Sequence, residues 1–201
     1  MQFHILEIHP KEGESMSEER NYDAIIIGSG QGGTPLAMFL AGKGYKTALI
    51  ESRYAGGTCV NYGCTPTKTM VASADAAWAV RRAPDYGVHA GPKGCEKREG
   101  PEALRVDMEK IRKRKRDIVD MFRSGSEKAL KDTEGLDFIR GKASFTGSHS
   151  LRVVDDQGNE LCRCTALKLF IDTGTSAAIP PIEGLSDLDY LDNESIMELG
   201  E

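Results

Sequence analysis

The order of apolar and polar positions predicts an α/β unit near the start of the chain. An apolar run at residues 24–27 predicts a short buried strand, and the stretch 34–41 has the apolar spacing of a helix. A glycine-rich turn lies between them, and a second strand is predicted at residues 46–50, directly before Glu51. A strand, a glycine turn, a helix and a strand in this order are typical of the first unit of a parallel sheet.

The rest of the chain changes from helical to strand periodicity. Apolar residues recur at helical spacing over residues 104–129, which predicts one long helix. Residues 136–140, 151–154 and 160–164 then alternate around turns and predict an antiparallel β-meander, and residues 167–171 predict another buried strand. The predicted fold class is α/β, a Rossmann-type domain with a parallel sheet, flanking helices and an antiparallel β-meander.

Composition indicates a globular protein and narrows its partners. The 201 residues are 39% hydrophobic and 28% charged, which is enough for a substantial core. The net charge of -5 gives no electrostatic reason to expect nucleic acid or an anionic membrane as the main partner. No apolar run is long enough to cross a bilayer, and the polar N-terminus does not resemble a signal peptide. We therefore expect a cytoplasmic protein that binds neither nucleic acid nor membrane.

A basic run at residues 110–116 lies inside the predicted long helix. A nucleic-acid-binding arm is one interpretation of such a run. Acidic residues are interleaved with it, however, and the whole chain is acidic. We therefore favour a solvated helix face.

The glycine turn has the spacing of a dinucleotide-binding loop. Gly28 permits a tight turn, Gly30 leaves room for a pyrophosphate beside the backbone, and Gly33 lets the helix pack closely on the strand. The free N–H groups at the helix start would then meet the phosphates. Glu51, about twenty residues further on, is placed to accept hydrogen bonds from ribose hydroxyl groups. The spacing predicts dinucleotide binding, and the alternative is a tight turn without a ligand.

Two of the five cysteines, Cys59 and Cys64, lie close together before a predicted helix. Thr65 is the expected N-cap of this helix and Pro66 its first helical residue. A thiol beside a helix N-terminus has a lowered pKa and raised reactivity, and Cys64 is in that position. In a reducing compartment such a pair indicates catalysis or metal binding more often than a permanent disulfide.

Zinc is the alternative ligand for this pair. No histidine lies in the stretch and no second pair has zinc-finger spacing, so no metal site is predicted. Cys162 and Cys164 flank one residue of a predicted strand, which points both side chains to the same face. Cys95 lies in the Gly- and Pro-rich stretch 90–101, which is interpreted as a surface loop.

The segment GGTCVNYGCTPTK at residues 56–68 carries a family resemblance. Together with the glycine turn and Glu51, it resembles the FAD-dependent pyridine nucleotide-disulphide oxidoreductases. The Thr-Pro-Thr-Lys ending is most similar to the mercuric reductase-like branch. The resemblance extends from Tyr22 to the end of the chain, and it implies a Rossmann-type FAD-binding domain.

This resemblance implies a role for each matching residue. Cys64 is similar to the thiol that contacts the flavin ring, and Cys59 is similar to the interchange thiol that meets the substrate. Lys68 resembles the lysine beside flavin N5, whose charge stabilises the reduced flavin. The implied catalytic residues are thus Cys59, Cys64 and Lys68. The implied FAD-binding residues are Gly28, Ser29, Gly30, Gly33, Glu51, Gly57, Thr58, Lys68, Ala143, Thr173 and Gly174.

The resemblance also predicts how the chain is organised. Residues 1–21 are interpreted as a flexible arm, residues 22–180 as the N-terminal portion of the FAD-binding domain, and residues 181–201 as an exit segment. Members of the family are more than twice as long, with an NAD(P)H-binding domain and an interface domain that forms a homodimer. The chain is therefore expected to be incomplete relative to the family, and inactive alone.

The implied activity is electron transfer from NAD(P)H through FAD to the Cys59/Cys64 disulfide, and then to a disulfide or metal-ion substrate. FAD is the expected cofactor, with NAD(P)H as co-substrate of the complete enzyme. The alternative is a dinucleotide-binding fragment whose cysteines are redox-silent and which acts as a binding or regulatory module.

Overall fold

The computed structural model of the chain describes residues 18–89 and 105–200, which form one six-stranded sheet with flanking helices. The regular elements, in chain order, are β1 (Glu18–Ile27), α1 (Gly33–Gly42), β2 (Thr47–Glu51), α2 (Gly57–Asn61), α3 (Cys64–Arg82), α4 (Met108–Lys131), β3 (Leu136–Arg140), β4 (Lys142–Gly147), β5 (Ser150–Val154) and β6 (Glu160–Ile171). Short 3-10 helices lie at residues 83–86, 185–187 and 195–198.

The sheet combines a parallel and an antiparallel part. Its strand order is β3-β2-β1-β6-β5-β4. β1 runs parallel to β2 and β6, and β2 runs parallel to β3. β5 is antiparallel to both of its neighbours. This topology confirms the predicted α/β class, with its parallel sheet, flanking helices and β-meander.

Two strands differ from the prediction. Residues 136–140, predicted in the antiparallel meander, form β3, which is parallel to β2. The helices between β2 and β3 provide the long crossover that parallel strands require, whereas apolar alternation carries no information about strand direction. Residues 160–164 and 167–171 belong to the single strand β6, because β1 pairs with β6 along almost its whole length.

β1 begins earlier than predicted. The strand expected at residues 24–27 extends back to Glu18, because its first half pairs with β6 beyond the start of β2. The end of the arm predicted over residues 1–21 therefore belongs to the sheet. Residues 1–17 and the whole predicted loop at 90–101, including Cys95, lie outside the described residues. Within the described ranges no helix is long and apolar enough to span a membrane.

The sheet separates two apolar clusters. One cluster packs β1 and β2 against the small residues Ala37 and Ala41 of α1 and against Leu130 of α4. The other lies on the opposite face and includes residues of β5 and β6. Consecutive residues of a strand point to opposite faces, so Ile25 joins one cluster and Ile26 the other. Burial on both faces fixes the end of β1, where the glycine turn begins.

The segment after β6 returns to pack against α4. The Nζ atom of Lys115 donates a hydrogen bond to the backbone oxygen of Met197 at 2.9 Å and pairs with the carboxylate of Glu198. Arg112 donates to the backbone oxygen of Glu198 at 2.8 Å. The solvated face predicted for residues 110–116 is therefore wrong at Lys115, which is 2% exposed, because a partner 83 residues later in the chain covers it.

Candidate functional site

The candidate site is assembled at one edge of the sheet. β1, β2, β3 and β6 are parallel, so their carboxyl ends lie at the same edge, which is where open α/β sheets bind ligands. Backbone hydrogen bonds hold together the segments that come directly after these strands. Asp172 N donates to Ile27 O at 2.8 Å, and Gly141 N donates to Glu51 O at 2.9 Å. Residues far apart in sequence thus meet around the glycine turn.

The glycine turn is closed so tightly that two of its positions have no room for a side chain. Gly28 has φ +105°, and a Cβ atom there would lie 2.1 Å from the backbone oxygen of Asp172. A Cβ atom on Gly33 would lie 2.0 Å from the backbone oxygen of Gly28. Both contacts are with backbone, which cannot move aside easily. The turn therefore presents bare main chain at the start of α1.

Glu51 points back to this turn. One carboxylate oxygen accepts hydrogen bonds from Ser29 N at 2.9 Å and Ser29 Oγ at 2.7 Å. The other accepts a hydrogen bond from Arg53 N at 2.7 Å. A carboxylate has about four acceptor positions, so these three bonds leave room for about one more donor. Glu51 thus lies beside the turn, and it has less free acceptor capacity than the two ribose hydroxyl groups would use.

The carboxylate of Asp172 lies in the position predicted for a pyrophosphate. Its Oδ2 atom accepts a hydrogen bond from Gly33 N at the start of α1. The same carboxylate lies next to Gly30 and Gly32 of the turn. Asp172 was not among the predicted site residues, although it lies directly before Thr173 and Gly174 in the sequence. A negative charge at this position opposes phosphate binding.

The cysteine segment is anchored on the same turn. Gly57 has φ +60°, and a Cβ atom there would lie 2.6 Å from the Cα atom of Gly30. Gly56 N donates to the backbone oxygen of Ser29 at 3.1 Å. α2 therefore starts in direct contact with the glycine turn, and this contact sets where the first cysteine can lie.

Cys59 and Cys64 come together at the junction of α2 and α3. Both are free thiols, Cys59 half-buried and Cys64 exposed. α3 begins at Cys64 itself, with Gly63 as N-cap, and not after Thr65 as predicted. The Cys64 thiol thus lies at the very start of a 19-residue helix.

The two thiols interact. A side-chain hydrogen bond with Cys64 raises the pKa of the Cys59 thiol, and partial burial and the charge of Cys64 act in the same direction. The positive charge of Lys68, one turn further along α3, opposes this rise in pKa. The structure therefore brings together the three residues predicted to be catalytic.

α4 packs against the cysteine segment, and this contact was not predicted from the sequence. The Nε atom of Arg123 donates to Asn61 Oδ1 at 2.7 Å, and its guanidinium lies 3.9 Å from the ring centre of Tyr54. Arg114 donates to the backbone oxygen of Thr69 in α3 at 3.1 Å. These contacts link both cysteine-bearing helices to one long helix.

The remaining predicted residues are spread around the edge. Thr173 lies against the turn, since a Cβ atom on Gly28 would come within 3.3 Å of the Cα atom of Thr173. Gly174 follows it in left-handed conformation, with φ +67°, and Thr58 is exposed beside Cys59. Ala143 lies on β4 and packs against the apolar cluster on the meander side of the sheet.

Comparisons with known proteins identify relatives of this chain. Residues 22–200 match the family described as pyridine nucleotide-disulphide oxidoreductase. The chain is 34% identical over 187 residues to mercuric reductase of Bacillus cereus, covering 92% of this chain and 27% of that protein. It is 35% identical over 167 residues to the probable pyridine nucleotide-disulfide oxidoreductase RclA of Escherichia coli (strain K12), covering 82% of this chain and 31% of that protein.

The fold is also similar to a solved structure. It matches the HOCl-induced flavoprotein disulfide reductase RclA from Escherichia coli with a TM-score of 0.69 and 32% identity, over 90% of this chain and 34% of that chain. The chain thus spans about a third of the length of these relatives. Because the family match covers residues 22–200, the chain belongs to the pyridine nucleotide-disulphide oxidoreductase family.

Proposed function

We propose that the chain is the FAD-binding part of a disulfide oxidoreductase whose redox-active pair is Cys59 and Cys64. Enzymes of this family use FAD and NAD(P)H. The observation that carries the proposal is the meeting of the two thiols at the start of α3, on a segment anchored to the glycine turn. When bound, FAD supplies the electron pair that reduces a disulfide.

The residues at the carboxyl edge fit such a cofactor in most respects. Gly28, Gly33 and Gly57 have no room for a side chain, so the turn and the cysteine segment pack closely, and Gly30 leaves main chain where a pyrophosphate would approach. Glu51 keeps an acceptor position free for a ribose hydroxyl. Thr58, Ala143, Thr173 and Gly174 would complete the contact surface. Asp172 opposes the fit, so we propose that its carboxylate turns away from Gly33 N when the phosphates bind.

The thiols differ in how they hold protons. The Cys59 thiol keeps its proton because it is hydrogen-bonded to the Cys64 sulfur, which raises the pKa of Cys59. Cys64 lies at the helix start, next to the free N–H groups of the first turn, whose partial positive charge favours an anionic partner. Lys68 adds a positive charge one turn away. This division suits Cys59 for exchange with substrate and Cys64 for the flavin side, the roles that the resemblance implies.

The substrate and the assembly of the whole enzyme are part of the proposal. We propose that electrons leave through Cys59 to a small disulfide or to a thiol-binding metal ion, and that the complete enzyme is a homodimer. The chain of 201 residues alone is expected to bind FAD weakly and to show no sustained NADH or NADPH oxidation with a disulfide or Hg(II) as acceptor. Sustained turnover would contradict this expectation.

The direct test is a count of free thiols before and after mild oxidation. In the wild type, two thiols should disappear on oxidation and return on reduction. Cys59→Ser and Cys64→Ser should each abolish this change. With oxidised FAD bound, a long-wavelength absorption band should be present in Cys59→Ser and absent in Cys64→Ser, and the wild type should show the same band once two electrons have reduced its disulfide. An unchanged thiol count in the wild type would favour the redox-silent binding module instead.

A further inference from the structure

We propose that Cys162 and Cys164 form a second dithiol site, which binds one soft monovalent d10 cation such as Cu(I) or Ag(I). The two sulfur atoms lie 3.6 Å apart on β6. The exposed fractions of these residues are only 1% and 0%. Thiolates are the ligands that such soft cations prefer. The pair lies on the opposite half of β6 from the glycine turn, so the proposed site is separate from the redox-active pair.

The strand keeps these cysteines from forming an ordinary disulfide. Residues two apart in a strand have Cα atoms about 6.6 Å apart, close to the upper limit of about 6.8 Å that a disulfide spans. β1 pairs with this part of β6 on one side and β5 on the other, which holds its backbone extended. Closing a disulfide would distort both ladders. The pair is therefore held as two thiols.

A guanidinium group lies beside the pair. Arg20 on β1 is the register partner of Cys164, so the two side chains lie on the same face of the sheet. One guanidinium nitrogen pairs with Glu18 at 2.7 Å. The Nε atom of Arg20 is buried and has no hydrogen-bond partner among the described residues. A buried donor without a partner is costly, and a sulfur anion beside it would satisfy this group.

Charge balance selects the cation. Binding releases one proton from each thiol, and the two thiolates with a monovalent cation carry one net negative charge. Arg20 is already paired with Glu18, so what it adds is its unpartnered Nε–H, which can donate to a thiolate that carries the remaining charge. A divalent ion such as Hg(II) would give a neutral complex, which has no net negative charge for this donor to stabilise. No oxidant or reductant is needed, because the reaction is an exchange of protons for a metal ion.

The geometry favours two ligands. Two sulfur–metal bonds of about 2.3 Å in a line separate the sulfur atoms by about 4.6 Å. The thiols must therefore move apart by about 1 Å from their present 3.6 Å separation. Among the described residues, no group of three or more Cys, His, Asp or Glu side chains is arranged to hold a metal ion. A cation at this site would have the linear coordination that Cu(I) and Ag(I) accept.

An open pocket gives a route to the thiols. A cavity of about 650 Å³ lies at the amino end of the sheet, lined by Arg20, Tyr22 and Asp137 among others. The Tyr22 hydroxyl donates to Asp137 Oδ2 at 2.8 Å, and Tyr22 also packs in the apolar cluster that contains both cysteines. Arg20 and Tyr22 thus line the cavity and also lie beside the two cysteines.

The test uses the full chain with Cys59, Cys64 and Cys95 replaced by serine, so that Cys162 and Cys164 are the cysteines that remain in the sequence. Titration with Cu(I) against a competing chelator should give one bound ion per chain, and X-ray absorption should show two sulfur ligands. Single Cys162→Ala and Cys164→Ala changes in this background should each abolish binding and the rise in thermal stability that Cu(I) brings. Arg20→Gln should weaken Cu(I) binding about tenfold and leave Hg(II) binding unchanged.

Three results would overturn the proposal. The first is no Cu(I) binding in the triple-serine background. The second is binding that survives both single alanine changes. The third is an equal effect of Arg20→Gln on Cu(I) and Hg(II) binding, which would show that Arg20 does not select between the two cations.

Discussion

Two cysteine pairs in this chain place their thiols together in different ways. Cys59 and Cys64 meet where one helix ends and the next begins, with Cys64 exposed. Cys162 and Cys164 lie side by side on one strand, buried between two neighbouring strands. Closeness of two sulfur atoms therefore does not by itself decide how reactive the thiols are. The element that carries them decides whether the pair can close, ionise and meet a reagent.

The pKa of Cys59 is raised chiefly by its hydrogen bond to Cys64, a bond that a reacting substrate can replace.

The largest expected contrast is in alkylation by iodoacetamide at pH 8. A rise in pKa from 9.0 to about 12 lowers the thiolate fraction of Cys164, by about 1000-fold. Cys64 should therefore react at least about 1000-fold faster than Cys164, as measured by mass spectrometry of peptides over time. Denatured protein is the control, in which the rates should become similar. Similar rates in the folded protein would remove the basis of the comparison.

A second test concerns the anchor of the reactive pair. Gly57→Ala places a Cβ atom 2.6 Å from the Cα atom of Gly30, so the free energy of unfolding should fall by about 2–4 kcal/mol. Gly158→Ala is a matched control, because Gly158 also has positive φ but nothing lies within 4 Å of an added Cβ. The free energy of unfolding of Gly158→Ala should fall by about 1–2 kcal/mol. Urea unfolding measures both, and equal losses would show that the contact with Gly30 is unimportant.

A third test uses alkaline pH. The pKa of Cys164 is raised in the folded state, so its contribution to stability is fully present below pH 9 and is lost as pH rises toward about 12. The loss should reach at most about 1.4 kcal/mol per pH unit for this thiol. Burial also raises the pKa of Tyr22, which adds a loss of the same sign. Unfolding in urea at pH 8 to 10.5 should show a smaller slope in Cys164→Ala, with Tyr22→Phe as the comparison.

The smallest expected effect concerns Asp172 and FAD. Asp172→Asn keeps an oxygen that can accept from Gly33 N and removes the negative charge, so FAD should bind about tenfold more tightly. Glu51→Gln should weaken binding by a similar factor, because a charged acceptor for ribose is lost. Fluorescence titration with FAD measures both. Weaker FAD binding in Asp172→Asn would show that this carboxylate supports the cofactor site.

The local parts of the site could be predicted from sequence, because short segments specify them. The turn from Gly28 to Gly33 and the position of Glu51 at the end of a strand follow from spacing alone, whereas the hydrogen bonds of Glu51 to Ser29 were not predicted. The position of Cys64 at a helix start also follows from the residues around it, although the helix begins one residue earlier than its predicted cap.

The rest depends on contacts between distant residues. Asp172 reaches Gly33 from 139 positions away, and the partner of Lys115 lies 83 positions later. Neither pairing leaves a periodic pattern in the sequence. The parallel direction of β3 likewise depends on how the crossover packs, which local alternation cannot report.

The way the chain returns to α4 has a consequence for proteolysis. Residues 169–201 contain eight Asp and Glu residues and no Lys or Arg. A protease specific for Lys and Arg therefore cannot cut this segment, whereas one specific for Glu can. The contact between α4 and Glu198 has an exposed part, in which Arg116 binds Glu198, and a buried part, in which Lys115 binds the same carboxylate. Added salt screens the exposed ion pair more than the buried one. The rate of cleavage by the Glu-specific protease at rising ionic strength therefore measures how much the exposed pair contributes to holding this segment on α4.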